Sequence, residues 1–176
     1  MAARTSIKSF APSTSDIADR ATGTGSVLQR LTRTSSDVAP LVARIALGLV
    51  MFPHGAQKAL GLFGGHGFSG TMGFFTGQMG IPAAFAALAI AAEFLGSIGL
   101  IVGALSRIAA LGIAANMLVA VFMVHAKFGF FMNWMGAQAG EGIEYHLLAI
   151  GLALIVMVKG AGAWSLDGLL GRRLSR

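Results

Sequence analysis

The sequence predicts an all-α fold, a bundle of four transmembrane helices. Of its 176 residues, 55% are hydrophobic and only 11% are charged, whereas about a quarter of a soluble domain is usually charged. Four long apolar stretches lie at about residues 41–62, 83–105, 108–125 and 147–158 with its flanks. A helix of about 18–25 apolar residues is long enough to cross a bilayer core of about 30 Å. The 25 glycines suit the close approach of helix backbones in lipid.

The basic residues predict how this bundle lies in a membrane. If the four helices alternate in direction, all of the 13 lysines and arginines except Lys58 and Lys127 fall on one side. This positive-inside bias predicts a multi-pass protein of the bacterial inner membrane with both termini in the cytoplasm. The same one-sided distribution argues against a nucleic-acid partner, and the lipid bilayer is the predicted one.

Three regions follow from the composition along the chain. Residues 1–39 form a basic, Ser/Thr-rich cytoplasmic tail without an apolar run or a signal-peptide core, so we expect it to be disordered. A weak surface helix over residues 13–33 is the alternative. Residues 40–170 form the membrane domain, and residues 171–176 form a basic cytoplasmic end. The chain has no cysteine, which excludes disulfides, thiolate metal sites and cysteine-based redox chemistry within it.

Proline and glycine shape the predicted helices. The first helix is expected to begin after Pro40 and to bend at Pro53, which frees a carbonyl near Leu49. Gly99 and Gly103 are a candidate pair for close packing in helix 2. Between helices 1 and 2 we expect a short interfacial helix or a re-entrant turn, with a glycine-loosened loop as the alternative. The evidence is an apolar stripe at helical spacing, formed by Phe68, Met72, Phe75 and Met79.

Polar side chains inside the apolar stretches are the candidate functional residues, since a charge at mid-bilayer costs at least about 2.5–3.5 kcal/mol. At about 1.5 Å per residue, His54, Glu93 and Asn116 lie roughly 12–16 Å from the outer ends of their helices. Glu93 is a candidate proton-handling or ligand-binding carboxyl, neutral when isolated and ionised beside Lys58 or a protonated His54. The alternative is a structural hydrogen bond, for instance to Asn116 or Ser97.

The outer end of helix 1 adds further candidates. His54 and Lys58 lie one helical turn apart on one face, and Gln57 adjoins them. His54 is a candidate proton shuttle or hydrogen-bond partner of a quinone carbonyl, unless it satisfies the carbonyl freed by Pro53. Lys58 either extends towards the surface or pairs with Glu144, which opens helix 4 at the same level.

The remaining polar residues receive structural or weaker assignments. Arg44 is expected to extend to lipid phosphate at the inner face, and Arg107 to mark a tight inner turn. Glu144 and His146 differ by about 200° around a helix, so they cannot both face one site. His125 lies about 180° from the polar face of helix 3 and is the weaker candidate. No metal site is predicted, because convergent His and Glu spacings are missing.

The order of these residues resembles the DoxX-like membrane proteins over residues 40–170. The resemblance is carried by Arg44-Ile-Ala-Leu-Gly48, His54-Gly-Ala-Gln57-Lys58, Gly80-Ile-Pro82, Glu93-Phe-Leu-Gly96, Gly103-Ala-Leu-Ser-Arg107, Glu144-Tyr145 and Gly160-Ala-Gly162-Ala-Trp-Ser165-Leu-Asp167. It implies a four-helix inner-membrane protein. Some members are membrane subunits of thiosulfate:quinone oxidoreductase, others are associated with oxidative-stress complexes or named as oxidoreductases, and many have no assigned activity. The resemblance also implies recurrent polar positions at Arg44, His54, Lys58, Glu93, Arg107 and Glu144.

Two functional hypotheses follow, and whether the chain is an enzyme stays open between them. In the first, it is a membrane subunit or accessory of a redox system, linked to quinone, sulfur or oxidative stress. A quinone would bind in the outer half, with His54 and Glu93 handling protons and Lys58 stabilising negative charge. Gln57, Asn116 and Glu144 would complete the site, and a separate soluble or membrane partner would supply electrons. The alternative is a non-catalytic protein, either an assembly partner or a homo-oligomeric passage for a small solute.

Overall fold

The computed structural model describes residues 27–174, and every regular element in that range is helical, without strands. The all-α class is therefore confirmed for this part of the chain. The helices are α1 (Val27–Thr32), α2 (Val38–Leu60), α3 (Gly67–Gly73), α4 (Ala83–Val102), α5 (Ser106–Ala120), α6 (Glu144–Lys159) and α7 (Leu166–Leu174). Most of the predicted tail, residues 1–26, lies outside the described residues, as do the last two residues of the basic end.

Three helical segments are long and apolar enough to cross a membrane, as judged by length and composition. They are Val38–Leu60, Ala83–Val102 and Ser106–Phe128, the last of which continues α5 through a π-helical turn (Val121–His125) and a 3-10 turn (Ala126–Phe128). Helix α6 is also apolar, but its 16 residues span only about 24 Å. It packs against α5 and α2, so it belongs to the same bundle.

The bundle core lies between α2, α4, α5 and α6. Its centre consists of fully buried apolar side chains: Leu47, Met51, Leu100, Ile113, Ala153 and Val156. Large apolar side chains also cover the outside of these helices, among them Phe85 at 65% and Phe122 at 78% exposure. A soluble monomer rarely exposes such extensive apolar surface, whereas a helix that faces lipid requires it.

Two glycines on α2 set its distance from α4. A Cβ atom on Gly55 would come within 2.6 Å of the Phe94 Cα, and one on Gly48 within 2.9 Å of the Ile101 Cγ1. They are seven residues apart and therefore share a face of α2. The predicted pair on α4 behaves differently, because Gly103 is not inside that helix; it ends it in the left-handed conformation at a φ of +71°.

Helix α2 begins earlier than expected and passes through both prolines. Its N-cap is Asp37, whose Oδ1 accepts a hydrogen bond of 3.0 Å from the amide of Ala39. Pro40 falls in the first turn, where a missing N–H costs nothing. Pro53 lies inside the helix, as predicted, and leaves the carbonyl one turn earlier without its helical donor.

A short helix occupies the glycine-rich segment between α2 and α4. Helix α3 runs from Gly67 to Gly73 and continues into a π-helical turn, Phe74–Gln78. The Thr71 hydroxyl donates a 3.2 Å hydrogen bond to the carbonyl of Lys58, which joins α3 to the end of α2. Part of the predicted apolar stripe, Phe75 and Met79, lines a cavity inside the bundle.

Arg44 is the most heavily bonded side chain of the fold, and the predicted contact with lipid phosphate is wrong. Its side chain is only 1% exposed. The guanidinium donates to five backbone carbonyls at 2.7–3.2 Å, those of Leu100, Ile101, Ala161, Ala163 and Trp164. These bonds use all five N–H groups. Arg44 therefore ties α2 to the end of α4 and to the turn after α6; this part of the bundle is called the Arg44 end.

Asp167 completes the Arg44 end by capping α5. Its two carboxylate oxygens accept from the amides of Leu105 and Ser106 at 2.7 and 2.9 Å, and its charge attracts the Arg44 guanidinium. The predicted turn residue Arg107 donates to the last carbonyls of α6, at Met157 and Val158, and to Arg33. The carbonyl of Arg33 belongs to the predicted tail, whose described part is bound to the bundle.

Replacement of Arg44 by Met is expected to destabilise the protein by about 3–5 kcal/mol, because five buried carbonyls lose their donors. Arg44→Lys should fall between this variant and the parent, since an ammonium has three donors and no fork. Thermal unfolding in detergent measures the effect. The control is Arg173→Met, an exposed position on α7 that should change stability by less than about 0.5 kcal/mol. Equal stability of Arg44→Met and Arg173→Met would contradict the assigned role.

Candidate functional site

A cavity of about 410 Å³ opens in the half of the bundle away from Arg44. This volume is within the range of small-molecule sites, about 300–1,000 Å³. Its wall is mostly apolar and aromatic, from Met51, Phe74, Phe75, Met79, Ile81 and Met117, among others. Polar side chains from four helices, the π-helical turn and the loop before α6 also line it: His54, Lys58, Glu93, Asn116, His125, Glu141, Tyr145 and His146. We call this part of the molecule the cavity end.

An ion pair between α2 and α4 lies on the cavity wall. The Lys58 Nζ is 3.0 Å from the Glu93 Oε1, and Glu93 is only 5% exposed. The close approach at Gly55, one turn before Lys58, makes this reach possible. The predicted pairing of Lys58 with Glu144 is therefore wrong, and Lys58 is the cation that lies beside Glu93. An ion pair held in an apolar bundle is costly to desolvate, so its retention calls for a role.

The two partners suggested for a structural hydrogen bond of Glu93, Asn116 and Ser97, are bonded elsewhere. Asn116 donates instead to the carbonyl of Ala89 at 2.7 Å, which joins α5 to α4. Ser97 donates to the carbonyl of Phe94 within its own helix at 2.8 Å. Glu93 thus has Lys58 as its partner, and its second oxygen makes no hydrogen bond within the described residues.

The His54 ring lies on the cavity wall beside Tyr145. The two ring centroids are 6.1 Å apart, and the Tyr145 hydroxyl donates to the Met51 Sδ at 3.1 Å. Neither ring nitrogen of His54 is hydrogen-bonded to any residue that the structure describes. The imidazole therefore does not satisfy the carbonyl freed by Pro53, and both of its nitrogens stay available to a ligand.

Two predicted ligand-binding residues are bound elsewhere. The Gln57 amide donates to the carbonyl of Phe63 at 3.0 Å in the loop after α2. The Glu144 Oε2 accepts from the amide of Met132 at 3.1 Å and so fixes the loop before α6. Neither residue lines the cavity. Of the predicted site residues, the structure brings together His54, Lys58, Glu93 and Asn116.

A pair of closely packed histidine rings, tilted by 44° to each other, completes the site, and the sequence pattern underestimates its importance. The ring centroids of His125 and His146 are 4.1 Å apart, and both rings line the cavity. His146 is 5% exposed, and its Nδ1 is buried without a hydrogen-bond partner of acceptable geometry in the described chain. As their separation of about 200° around the helix predicts, Glu144 does not line the cavity together with His146. A buried polar atom without a partner costs about 1–3 kcal/mol, which a ligand hydrogen-bonded to this nitrogen would recover.

The π-helical turn Val121–His125 explains why His125 was placed on the wrong face. Regular α-helical spacing from Asn116 gives a rotation of about 180°. A π turn has more residues per turn, so each residue advances by a smaller angle. The five residues of this turn therefore bring His125 round towards the cavity. The described chain contains no cluster of three or more His, Cys, Asp or Glu side chains suited to a metal ion.

Apolar packing separates the cavity from the Arg44 end. The side chains between them include Leu47, Leu100, Ala153 and Val156, each at most 1% exposed. The polar layer around Lys58 and Glu93 is therefore not continuous with Arg44 in the described bundle. A continuous polar path is what the solute-passage hypothesis required of these residues.

Removal of Lys58 alone should destabilise the protein by about 3 kcal/mol, because Glu93 is left buried without its counter-charge. In Lys58→Met/Glu93→Gln the charge is gone as well, so at least half of the lost stability should return. Thermal unfolding of the single and double variants measures the coupling. Lys127→Met is the control, since this lysine is exposed and its Nζ lies 4.9 Å from the centroid of the Phe128 ring. Additive effects of the two substitutions would contradict the ion pair.

Comparison with known proteins identifies the family of this chain. The family model described as DoxX matches residues 39–126, which cover α2 to the end of the π turn. Inner membrane protein YqjF of Escherichia coli (strain K12) is 30% identical over 137 residues, 78% of this chain and 95% of that protein. Putative oxidoreductase CatD of Bacillus subtilis (strain 168) is 29% identical over 99 residues, 56% of this chain and 69% of that protein. No solved structure matches significantly. The chain belongs to the DoxX family.

Proposed function

We propose that the protein binds a small aromatic redox carrier of the quinone class in its cavity, as a membrane subunit or accessory of a redox system. The Lys58–Glu93 ion pair on the wall of a mostly apolar cavity is the observation that carries this proposal. Quinone rings suit an apolar, aromatic wall such as that of Phe74 and Phe75. Their oxygens need hydrogen-bonding groups at one or two points, which the polar side chains supply.

Three of the polar groups in the cavity have a defined task in this proposal. The Lys58 ammonium stabilises negative charge on a ligand oxygen, because its field is strong where water is excluded. Glu93 and His54 exchange protons with that oxygen. The chain has no cysteine for thiol chemistry, so a separate soluble or membrane protein would exchange electrons with the bound ring. The CatD relative is named as an oxidoreductase, which adds weak support.

The proposal includes a position in the bacterial inner membrane. Helix α6 is the fourth span: it packs among α2 and α5 and runs from the cavity end to the Arg44 end. The segment of α3 lies at the outer interface, where Phe68, 49% exposed, meets the lipid headgroups. The Arg44 end, which carries the basic residues, faces the cytoplasm with both termini. The YqjF relative is named as an inner membrane protein, which supports this location.

Single cysteines test this topology on a background that has none. In intact cells, Ala137→Cys in the loop before α6 should react with a membrane-impermeant maleimide. Ser36→Cys and Arg173→Cys should react only after the cells are permeabilised, because four spans return the chain to the cytoplasm. All three residues are exposed, so access is limited by the membrane alone. Labelling of both Arg173→Cys and Ala137→Cys in intact cells would contradict a fourth span.

The non-catalytic alternatives receive unequal support. Passage of a solute through one copy is disfavoured by the apolar core between the cavity and Arg44. A role in assembly draws on Trp134 and Met135, which are 82% and 92% exposed in the loop before α6. Exposed aromatic residues at this level are also typical of the membrane interface. Ligand binding therefore decides between the redox proposal and an assembly role.

Glu93→Gln should weaken binding of a short-chain quinone pair by about tenfold, or about 1.4 kcal/mol. The neutral amide of the glutamine gives Lys58 no counter-charge and cannot exchange a proton. The measurement is anaerobic calorimetric titration of the purified protein with decylubiquinone and with decylubiquinol. The matched control is Glu144→Gln, the same chemical change at a carboxylate outside the cavity, which should bind like the parent. If the parent binds neither form, the proposed function is refuted.

A further inference from the structure

The hydrogen bonds that the protein already makes determine what the cavity can still offer. Asn116 gives the clearest case. Its amide lies 2.7 Å from the carbonyl of Ala89, and a carbonyl only accepts, so the NH₂ group must face it. The Oδ1 of the same side chain is left as an acceptor. Asn116 lines the cavity and is not otherwise hydrogen-bonded in the described residues.

His125 follows the same logic. Its Nδ1 lies 2.8 Å from the carbonyl of Glu141, so this nitrogen must carry the hydrogen. In the neutral ring the Nε2 then has a lone pair and acts as an acceptor. The tautomer is fixed by the loop carbonyl, and the His146 ring packs against the imidazole at a centroid distance of 4.1 Å. A hydroxyl on a ligand can bond to this Nε2, whereas a ligand carbonyl cannot.

Two further groups in the cavity are acceptors. The Glu93 Oε1 is paired with Lys58, and its Oε2 is left over. The Tyr145 hydroxyl spends its hydrogen on the Met51 Sδ, which leaves the oxygen as an acceptor. Among the described residues on the wall, the cation Lys58 directs two of its three hydrogens to Glu93 and, at 3.5 Å, to the carbonyl of His54, which leaves a single donor for the ligand.

His54 and His146 do not alter this balance. A neutral imidazole offers one donor and one acceptor, so each ring adapts to the ligand. The groups whose direction is fixed are therefore mainly acceptors, and they come from α4, α5, the π-helical turn and α6. A ligand that brings hydroxyl hydrogens satisfies them, whereas one with only carbonyl oxygens leaves them unpaired and desolvated.

From this pattern we infer that the cavity selects the reduced, dihydroxy form of its aromatic ligand, a quinol, over the oxidised quinone. The inference rests on the proposed function and adds the form in which the ligand binds. Asn116 and His125 are the specificity-determining residues, since each offers a fixed acceptor and neither belongs to the ion pair. Because the reduced form is held more tightly, the bound ring is a weaker reductant than the free quinol.

Anaerobic titration of the purified protein with decylubiquinol and decylubiquinone tests the selection. The quinol should bind at least tenfold more tightly. Asn116→Leu and His125→Phe each remove one acceptor and should each lower this ratio to about threefold or less. The matched controls are Gln78→Leu and His66→Phe, which make the same chemical changes at exposed positions outside the cavity and should keep the parent's ratio.

A second ligand separates hydrogen bonding from redox chemistry. A long-chain resorcinol has two hydroxyls but cannot be oxidised to a quinone by loss of two hydrogens. It should compete with decylubiquinol, and its dimethyl ether, which has no donor, should not. A quinone that binds as tightly as the quinol, or an ether that competes as well as the resorcinol, would overturn the inference and leave the proposed function standing. The parent's own affinity ratio decides the matter even if a variant fails to fold.

Discussion

The buried guanidinium of Arg44 is the interaction on which the fold depends. A charge inside an apolar bundle is tolerated only when its solvation is replaced, and here five carbonyls replace it. The carbonyls of Leu100 and Ile101 end α4, where a helix has orphan acceptors and the negative end of its dipole. The same five hydrogen bonds therefore compensate the burial of Arg44, satisfy the carbonyls at the end of α4 and fix the turn after α6.

The backbone around this arginine carries strain that the hydrogen bonds offset. Leu105 and Trp164 have positive φ values of 47° and 48°, unusual for residues with a side chain. Such conformations cost of order 1–3 kcal/mol each. Asp167 accepts from the amide of Leu105, and Arg44 donates to the carbonyl of Trp164. The Arg44 end is thus rigid by construction, and the cavity end, with its free polar atoms, is where a ligand can bind.

Much of this organisation was predictable from the sequence, because hydropathy reports burial in lipid directly. The all-α class, the proline inside α2 and a polar layer of His54, Glu93 and Asn116 follow from apolar runs and the rise of a helix. The pairing of those side chains does not. Lys58 reaches Glu93 because Gly55 lets two backbones touch, and a glycine's neighbour across a helix interface is not encoded in local spacing. Arg44 was misplaced for a similar reason, since the carbonyls that bind it come from residues about 60 and 120 positions away.

The π turn that ends α5 has a consequence for comparing this chain with its relatives. Such a turn accommodates one residue more than regular α-helix, so a homologue of equal length that forms a regular α-helix here would direct the counterpart of His125 outwards, into the acyl chains. At equal chain length, the presence or absence of this turn would therefore divide the family into two groups, one with a paired imidazole beside Tyr145 and one without it. Members of the second group would share the architecture held by Arg44 and have a chemically different pocket.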